Sequence, residues 1–257
     1  MSECRERRVT VGATRWKIRE LGDPGGGRPT VVMVAGLGSG EYLLPHAVRL
    51  AATRCVLLPD MPGFGRTRGP RRLRSIEEFR DALVELLDAQ VPRPVDLIGN
   101  SFGTQIVIAV AARRPEIVRR VVLIGPTFDV AARSVRRMVP RWLKITPKEP
   151  PALALSLARS YAQCGVRTPA LAFRAGLRDA PEERIAKLRH PILLVRGTED
   201  RIAPREWLET LRDRTHDAQI AEVPEVAHTV DFAAPDEIAK LTTRFLGDAV
   251  GARMTRP

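Results

Sequence analysis

Cysteine is scarce in this chain: Cys4, Cys55 and Cys164 are the only three in 257 residues. So few and so scattered, they exclude a disulfide framework and a thiolate metal site. Cys55 lies inside an apolar run and reads as a small core residue. Histidine is nearly as rare, and His46, His190, His216 and His228 show no metal-ligand spacing, so neither a metal nor another cofactor is expected. No apolar run reaches the roughly 18 residues of a membrane span, which excludes an integral membrane protein of the helical type. The start of the chain, Met1 to Thr10, is charged and has no apolar stretch behind it. A secretory signal is therefore not expected, and a cytoplasmic location follows by default. Internal repeats and low-complexity tracts are also missing.

Negative charge is in deficit. Lys plus Arg number 42 against 30 Asp plus Glu, a formal net charge of +12, and only five of the 42 are lysine (Lys17, Lys144, Lys148, Lys187 and Lys240). Such a surplus attracts anionic partners in principle. Here the arginines are dispersed, and the densest run, Arg66 to Arg74, has no interleaved aromatics. The charge reads as a solvated surface, with neither a nucleic-acid nor a membrane partner expected and a small-molecule substrate as the one partner.

What the chain does have is enough apolar residue, 44%, for a sizeable core. Continuous apolar runs suited to strands buried on both faces occur at 30–35, 55–58, 95–98, 121–124 and 192–195, with a weaker one at 219–223. Val9 to Ile18 has the looser pattern of an edge hairpin, and the Asp23-Pro24-Gly25 stretch after it reads as a turn. Helical patterns lie between the runs. Ser75-Ile76-Glu77-Glu78 has the form of a capping box, followed by Phe79, Leu83, Leu86 and Leu87 on one face. Gln105 to Ala112 is an alanine-rich buried helix, and Pro235 opens a last helix carrying Ile238, Leu241 and Phe245. Alternating strands and helices predict an α/β fold with a mostly parallel, doubly wound sheet. One stretch breaks the alternation: residues 126–190 hold no strand-like run. They read as a helical cap inserted into a core made of 1–125 and 191–257, with Trp142, Leu153, Leu157, Tyr161 and Phe173 available to line or roof a pocket.

The sharpest motif is Gly99-Asn100-Ser101-Phe102-Gly103, of the form G-x-S-x-G, standing directly between a strand and a helix. In that context the turn is tight enough to demand glycine near the serine and pushes the hydroxyl out above the sheet. The helix start behind it favours developing negative charge. A serine at its free pKa is a poor nucleophile, so it needs a base and the base needs an orienting acid. Asp200 and His228 each follow the carboxyl end of a later strand, giving the order Ser, acid, His. Glu199, adjacent, and Asp129, after the previous core strand, are the competing acids; Asp200 is favoured. Tyr42 is expected in core packing, His46 as a surface or satisfied histidine in the Leu43–Ala51 helix, and Asp60 as a structural hydrogen-bond acceptor.

From Val31 to Leu246 these features resemble the α/β-hydrolase fold family. Ala35-Gly36-Leu37-Gly38-Ser39 is similar to its oxyanion loop, Leu58-Pro59-Asp60-Met61-Pro62-Gly63-Phe64-Gly65-Arg66-Thr67 to the loop after its next strand, Gly197-Thr198-Glu199-Asp200 followed by Ile202-Ala203-Pro204 to its acid turn, and Ala227-His228 with the later Pro235 to its histidine loop and final helix. The resemblance implies an oxyanion hole from the backbone amides of Leu37 and Phe102. Two departures stand out: Ala35, where many relatives have histidine, and Thr104, where many have a second glycine. The G-N-S-F-G form is similar to that of meta-cleavage-product C–C hydrolases, yet those often carry tryptophan soon after the histidine and here the run is Thr229-Val230-Asp231-Phe232. The expected activity is therefore a serine hydrolase cleaving an ester of a small apolar molecule through an acyl-enzyme. A C–C hydrolase or thioesterase is the alternative, and a ligand-binding sensor the non-enzymatic one.

Overall fold

A computed structural model describes residues 4–69 and 75–247. The arginine-dense run is thus seen only as far as Gly69 and again from Ser75; its Pro70–Arg74 part lies outside the described residues, as do Met1–Glu3 and the last ten residues. In chain order the elements are β1 (Arg5–Val11), β2 (Thr14–Leu21), β3 (Val31–Val34), α1 (Leu44–Leu50), β4 (Val56–Pro59), α2 (Ile76–Gln90), β5 (Val95–Asn100), α3 (Phe102–Arg113) and β6 (Val118–Ile124). Then follow α4 (Val135–Ile145), α5 (Pro151–Cys164), α6 (Arg167–Arg178), α7 (Pro181–Ile185), β7 (Ile192–Gly197), α8 (Arg205–Asp213), β8 (Ala218–Val223), α9 (Val230–Ala233) and α10 (Pro235–Gly247).

The eight strands form one sheet in the order β1-β2-β4-β3-β5-β6-β7-β8. The edge hairpin β1–β2 is antiparallel and joins β4 antiparallel, and every pairing from β4 through to β8 is parallel. Side chains alternate across this sheet, as strand geometry requires. Val32 and Val34 enter the cluster that holds Phe79, Leu83, Ile106 and Trp207 of α2, α3 and α8. Val31 and Met33 enter the opposite cluster with Leu50, Ile238 and Phe245 of α1 and α10. The continuous apolar runs of the inner strands are thus explained by helices on both faces.

α2 begins on the capping box visible in the sequence: the Glu78 amide donates to Ser75 Oγ at 3.3 Å and the Ser75 amide to Glu78 Oε2 at 3.1 Å. The chain runs from β3 outward to β4, then crosses back to β5 on the other side of β3. The carboxyl ends of β3 and β5 therefore flank the point where strand order reverses, the place such sheets leave a crevice. Between β6 and β7 the chain makes α4 to α7 and no strand.

Candidate functional site

Ser101 sits in that crevice, at the turn from β5 into α3. Its backbone is at φ 53°, ψ −123°, a strained conformation for a non-glycine residue. The strain is held by close packing on both sides. A side chain at Gly103 would collide with the carbonyl oxygens of Val34 and Ala35, and one at Gly99 with the backbone of Gly103 and Thr104. Only glycine lets α3 approach β3 and β5 this closely. Thr104, the departure from a second glycine, folds its hydroxyl back on Ser101 O at 2.6 Å.

Three side chains from distant parts of the chain meet here. Ser101 Oγ lies 2.9 Å from His228 Nε2, and His228 Nδ1 lies 2.7 Å from Asp200 Oδ2. A carboxylate only accepts, so Nδ1 carries the proton and Nε2 is free to accept from the serine. The other oxygen of Asp200 accepts from the amides of Ile202 and Ala203, at 2.7 and 3.0 Å, which fixes the carboxylate's orientation. The competing acids are elsewhere. Glu199 is engaged with Lys148 at 2.8 Å on the surface, and Asp129 caps the turn at Val130–Ala132 and pairs with Arg141.

His228 and Asp200 are buried, at 6% and 2% exposure. Burial alone would push the imidazole down, but the charge and hydrogen bond of Asp200, joined by Glu149 and Asp231, outweigh it and hold His228 above its ordinary 6.5. Glu149 was not singled out in the sequence. It precedes α5 and reaches over from the β6–β7 segment, where its Oε1 accepts from the amides of His228 and Thr229 at 2.8 and 2.9 Å. A lone glutamate in a proline-rich stretch carries no sequence signal for such a contact.

Leu37 and Phe102, the residues implied for the oxyanion hole, bracket Ser101. Gly36 runs so close that a Cβ on it would come within 2.9 Å of Ser101 Cβ, and Leu37 follows it. Phe102 is the first residue of α3, where backbone amides have no carbonyl one turn earlier to bond. Its buried ring packs edge-on against Phe79, centroids 5.4 Å apart.

With Ala35 in place of histidine, the loop takes its support from Tyr42. The phenol oxygen accepts from the Gly36 amide at 2.6 Å and donates to Asn100 Oδ1 at 2.8 Å. Asn100 Nδ2 donates to Asp231 Oδ2 at 2.8 Å, Asp231 Oδ1 meets His46 Nδ1 at 2.7 Å, and His46 Nε2 meets Thr242 Oγ1 at 3.0 Å. All five side chains are buried. Burial pushes the Tyr42 phenol far above its usual value, so it remains a donor. His46 is thus a satisfied, fully buried histidine, and Tyr42 is a hydrogen-bonded link as well as a core residue. Asp60 accepts from Arg19 Nη1 and from the Gly40 amide, each at 2.8 Å, well inside the structure and away from His228.

α5 closes over the loop. Tyr161 Oη donates to Leu37 O at 2.9 Å, the Ser39 amide donates to Ser160 Oγ at 2.8 Å, and Leu157 packs by Gly38. Leu153 is buried beside them and Phe173 packs on Phe128, whereas Trp142 stands exposed on α4. A cavity of about 720 Å³ opens between the Pro62–Gly69 loop and α5–α6, without Ser101, Asp200 or His228 in its lining. A second, about 530 Å³, lies between α4 and the acid turn and reaches Asp200. Among the described residues no three His, Cys, Asp or Glu side chains are grouped to hold a metal ion.

Comparison with known proteins bears on this arrangement. A family model described as the alpha/beta hydrolase family matches residues 31–241. A 2-hydroxymuconate semialdehyde hydrolase of Pseudomonas sp. (strain CF600) is 29% identical over 269 residues, covering 91% of this chain and 92% of its own. A 2-hydroxy-6-oxo-2,4-heptadienoate hydrolase of Pseudomonas putida is 29% identical over 256 residues, covering 88% and 91%. Among solved structures, a meta-cleavage product hydrolase from Pseudomonas fluorescens IP01 superposes with a TM-score of 0.75 at 23% identity, covering 94% of this chain and 97% of that one, a likeness of fold. The family match spans both strands that flank the crevice and the whole run from Ser101 to His228, and the chain belongs to the α/β hydrolase family.

Proposed function

We propose that the chain is a serine hydrolase that cleaves an ester of a small apolar molecule, with Ser101 as nucleophile, His228 as general base and Asp200 as the orienting acid. The observation that carries this reading is the hydrogen-bonded series from Ser101 Oγ through both nitrogens of His228 to Asp200, at 2.9 and 2.7 Å. Ser101 Oγ attacks the ester carbonyl while Nε2 takes its proton, and Asp200 stabilises the imidazolium that forms. The tetrahedral oxyanion is held by the amides of Leu37 and Phe102; each such donor contributes on the order of 3 kcal/mol. Collapse expels the alcohol, protonated by the imidazolium, and leaves an acyl-enzyme. His228 then activates water, which releases the acid and restores the serine. No step calls for a cofactor.

A second reading is favoured by the relatives' names, 2-hydroxymuconate semialdehyde hydrolase and 2-hydroxy-6-oxo-2,4-heptadienoate hydrolase: attack on a ketone, with a carbon rather than an oxygen leaving group. The Glu149 carboxylate beside His228 counts against an anionic dienoate, whereas Arg141, Lys144, Lys148, Arg196 and Arg201, which line the cavity that reaches Asp200, count for one.

The test is covalent labelling by a fluorophosphonate, read by intact mass, with Ser101→Ala alongside, followed by turnover of p-nitrophenyl butyrate and of a 2-hydroxy-6-oxo-dienoate. One adduct on the native protein, none on Ser101→Ala, and ester turnover lowered about 10⁴-fold or more by the substitution are expected. Dienoate cleavage without ester turnover would transfer the assignment to the second reading. An unlabelled, folded, inactive protein would overturn both.

A further inference from the structure

Burial in this molecule is uneven in one respect. Eight large hydrophobic side chains are exposed among the described residues, and seven of them, Val130, Val135, Val139, Trp142, Leu143, Leu155 and Val166, fall in the segment between β6 and β7. Four belong to α4. At 3.6 residues per turn, Val135, Val139, Trp142 and Leu143 share an arc of about 100° on that helix. The helix meets the rest of the protein through a neighbouring strip instead, where Met138 and Ile145 are buried and Arg141 pairs with Asp129. α4 is therefore amphipathic with its apolar arc turned outward, the reverse of a helix that serves only a core.

Charge says what such a face fits. Between Asp129 and Glu149 the sequence has no acidic residue and six basic ones, Arg133, Arg136, Arg137, Arg141, Lys144 and Lys148. Arg136 borders the apolar arc and, like Arg137, is exposed and in no salt bridge among the described residues, whereas Arg141, Lys144 and Lys148 line the cavity between α4 and the acid turn. The apolar stripe thus lies on an acid-free, basic segment, with Arg136 at its edge. A second copy of the chain would set two such basic stripes against each other. An anionic lipid surface instead offers acyl chains to the aliphatic residues, the headgroup boundary to Trp142, phosphates to Arg136 at the edge, and a longer-range attraction to the basic segment behind it.

We propose that the outward face of α4 is a docking surface for an anionic lipid membrane, on which the helix lies in the interface plane with Val135, Val139, Trp142 and Leu143 inserted. This departs from the expectation of no membrane partner drawn from dispersed charge, and it is independent of the bond that Ser101 cleaves. Trp142 supplies its own probe, because the other two tryptophans, Trp16 and Trp207, are buried.

The experiment is titration of the full chain with vesicles, either pure phosphatidylcholine or phosphatidylcholine with about one-third phosphatidylglycerol, read by cosedimentation and by tryptophan emission. Expected are a blue shift and sedimentation with the anionic vesicles only, weakened at least ten-fold between 0.1 and 0.5 M salt. The double variant Trp142→Ser/Leu143→Ser, and separately Arg136→Glu/Arg137→Glu, should each lower partitioning at least ten-fold, while Val48→Ser, exposed outside this segment, should not. Absence of binding, or binding that all variants retain, overturns the proposal. So does self-association in sedimentation equilibrium, lost in the Trp142→Ser/Leu143→Ser variant without any vesicle binding, which would assign the face to a second copy.

Discussion

Tyr42→Phe removes one oxygen atom and tests how the Gly36–Ser39 loop is supported. That oxygen accepts from the Gly36 amide at 2.6 Å and donates to Asn100 at 2.8 Å, and all three residues are buried. The phenyl ring fills nearly the same volume, so the loss is polar: one amide N–H and one amide oxygen are left without a partner. Each orphaned buried group costs about 1–3 kcal/mol, giving roughly 2–6 kcal/mol in all. For a chain of this size each kcal/mol lowers Tm by about 2–4 °C, so a fall of about 4–24 °C is expected by calorimetry. Turnover should fall as well, about ten-fold and mainly in kcat, because the freed Gly36 amide loosens the loop that presents Leu37. Tyr161→Phe is the comparison: its hydroxyl makes one bond, to Leu37 O, in a partly exposed setting, and its loss should cost only about 1 kcal/mol. A Tyr42→Phe protein within 1 °C of the native Tm, or no less stable than Tyr161→Phe, would refute the idea that this bond holds the loop.

Further outcomes follow from the site. A general base must be neutral to accept a proton, and the three carboxylates around His228 hold it above 6.5, so kcat/KM for a neutral ester should fall as pH drops through a value above 6.5. Glu149→Gln keeps an acceptor for the His228 and Thr229 amides but removes a negative charge, so that acid limb should move to lower pH; a pH–rate profile with an unmoved limb would rule out the charge effect. Gly103→Ala sets a methyl group against the carbonyls of Val34 and Ala35 and should destabilise by about 3 kcal/mol or more, read as a lower urea midpoint, with fluorophosphonate labelling slowed as the turn shifts. An alanine variant of native stability would mean the helix is not pressed on β3 as described.

Much of this fold was legible because its inner strands are buried on both faces. That burial writes itself into the sequence as unbroken runs such as Val31–Val34 and Val121–Ile124. Capping chemistry marked the start of α2 equally well, since a reciprocal side-chain bond demands particular residues three apart. α8 is written more briefly: its apolar face is Trp207, Leu208 and Leu211, three positions at helical spacing in nine residues. At the candidate site, the meeting of Ser101, Asp200 and His228 was legible because each follows the end of a strand in a local motif. Glu149 was not, because its role depends on where a loop without periodicity returns to the sheet. Nor were Asp231 and His46: a buried polar side chain finds its partner through tertiary geometry, and 185 residues separate these two. Hydrophobicity makes Trp142 available to line or roof a pocket without fixing its direction, and which arc of α4 faces the protein is decided by Met138 and Ile145.

The buried series from Gly36 through Tyr42, Asn100, Asp231 and His46 to Thr242 also constrains how this sequence can be recombined. Each member from Tyr42 to His46 bonds the next, Thr242 also bonds the carbonyls of Ile238 and Ala239, and they come from the first, second and last parts of the chain. Asn100 in particular must offer oxygen to one neighbour and nitrogen to the other, which no single replacement does. A chimera with a relative whose crossover falls between Asn100 and Asp231 would inherit half of the series and strand its buried donors. One that exchanges all of these positions together would keep a complete set. Substitutions at Tyr42, Asn100 and Asp231 should therefore be non-additive, behaving in heredity as one locus although they are scattered over most of the gene.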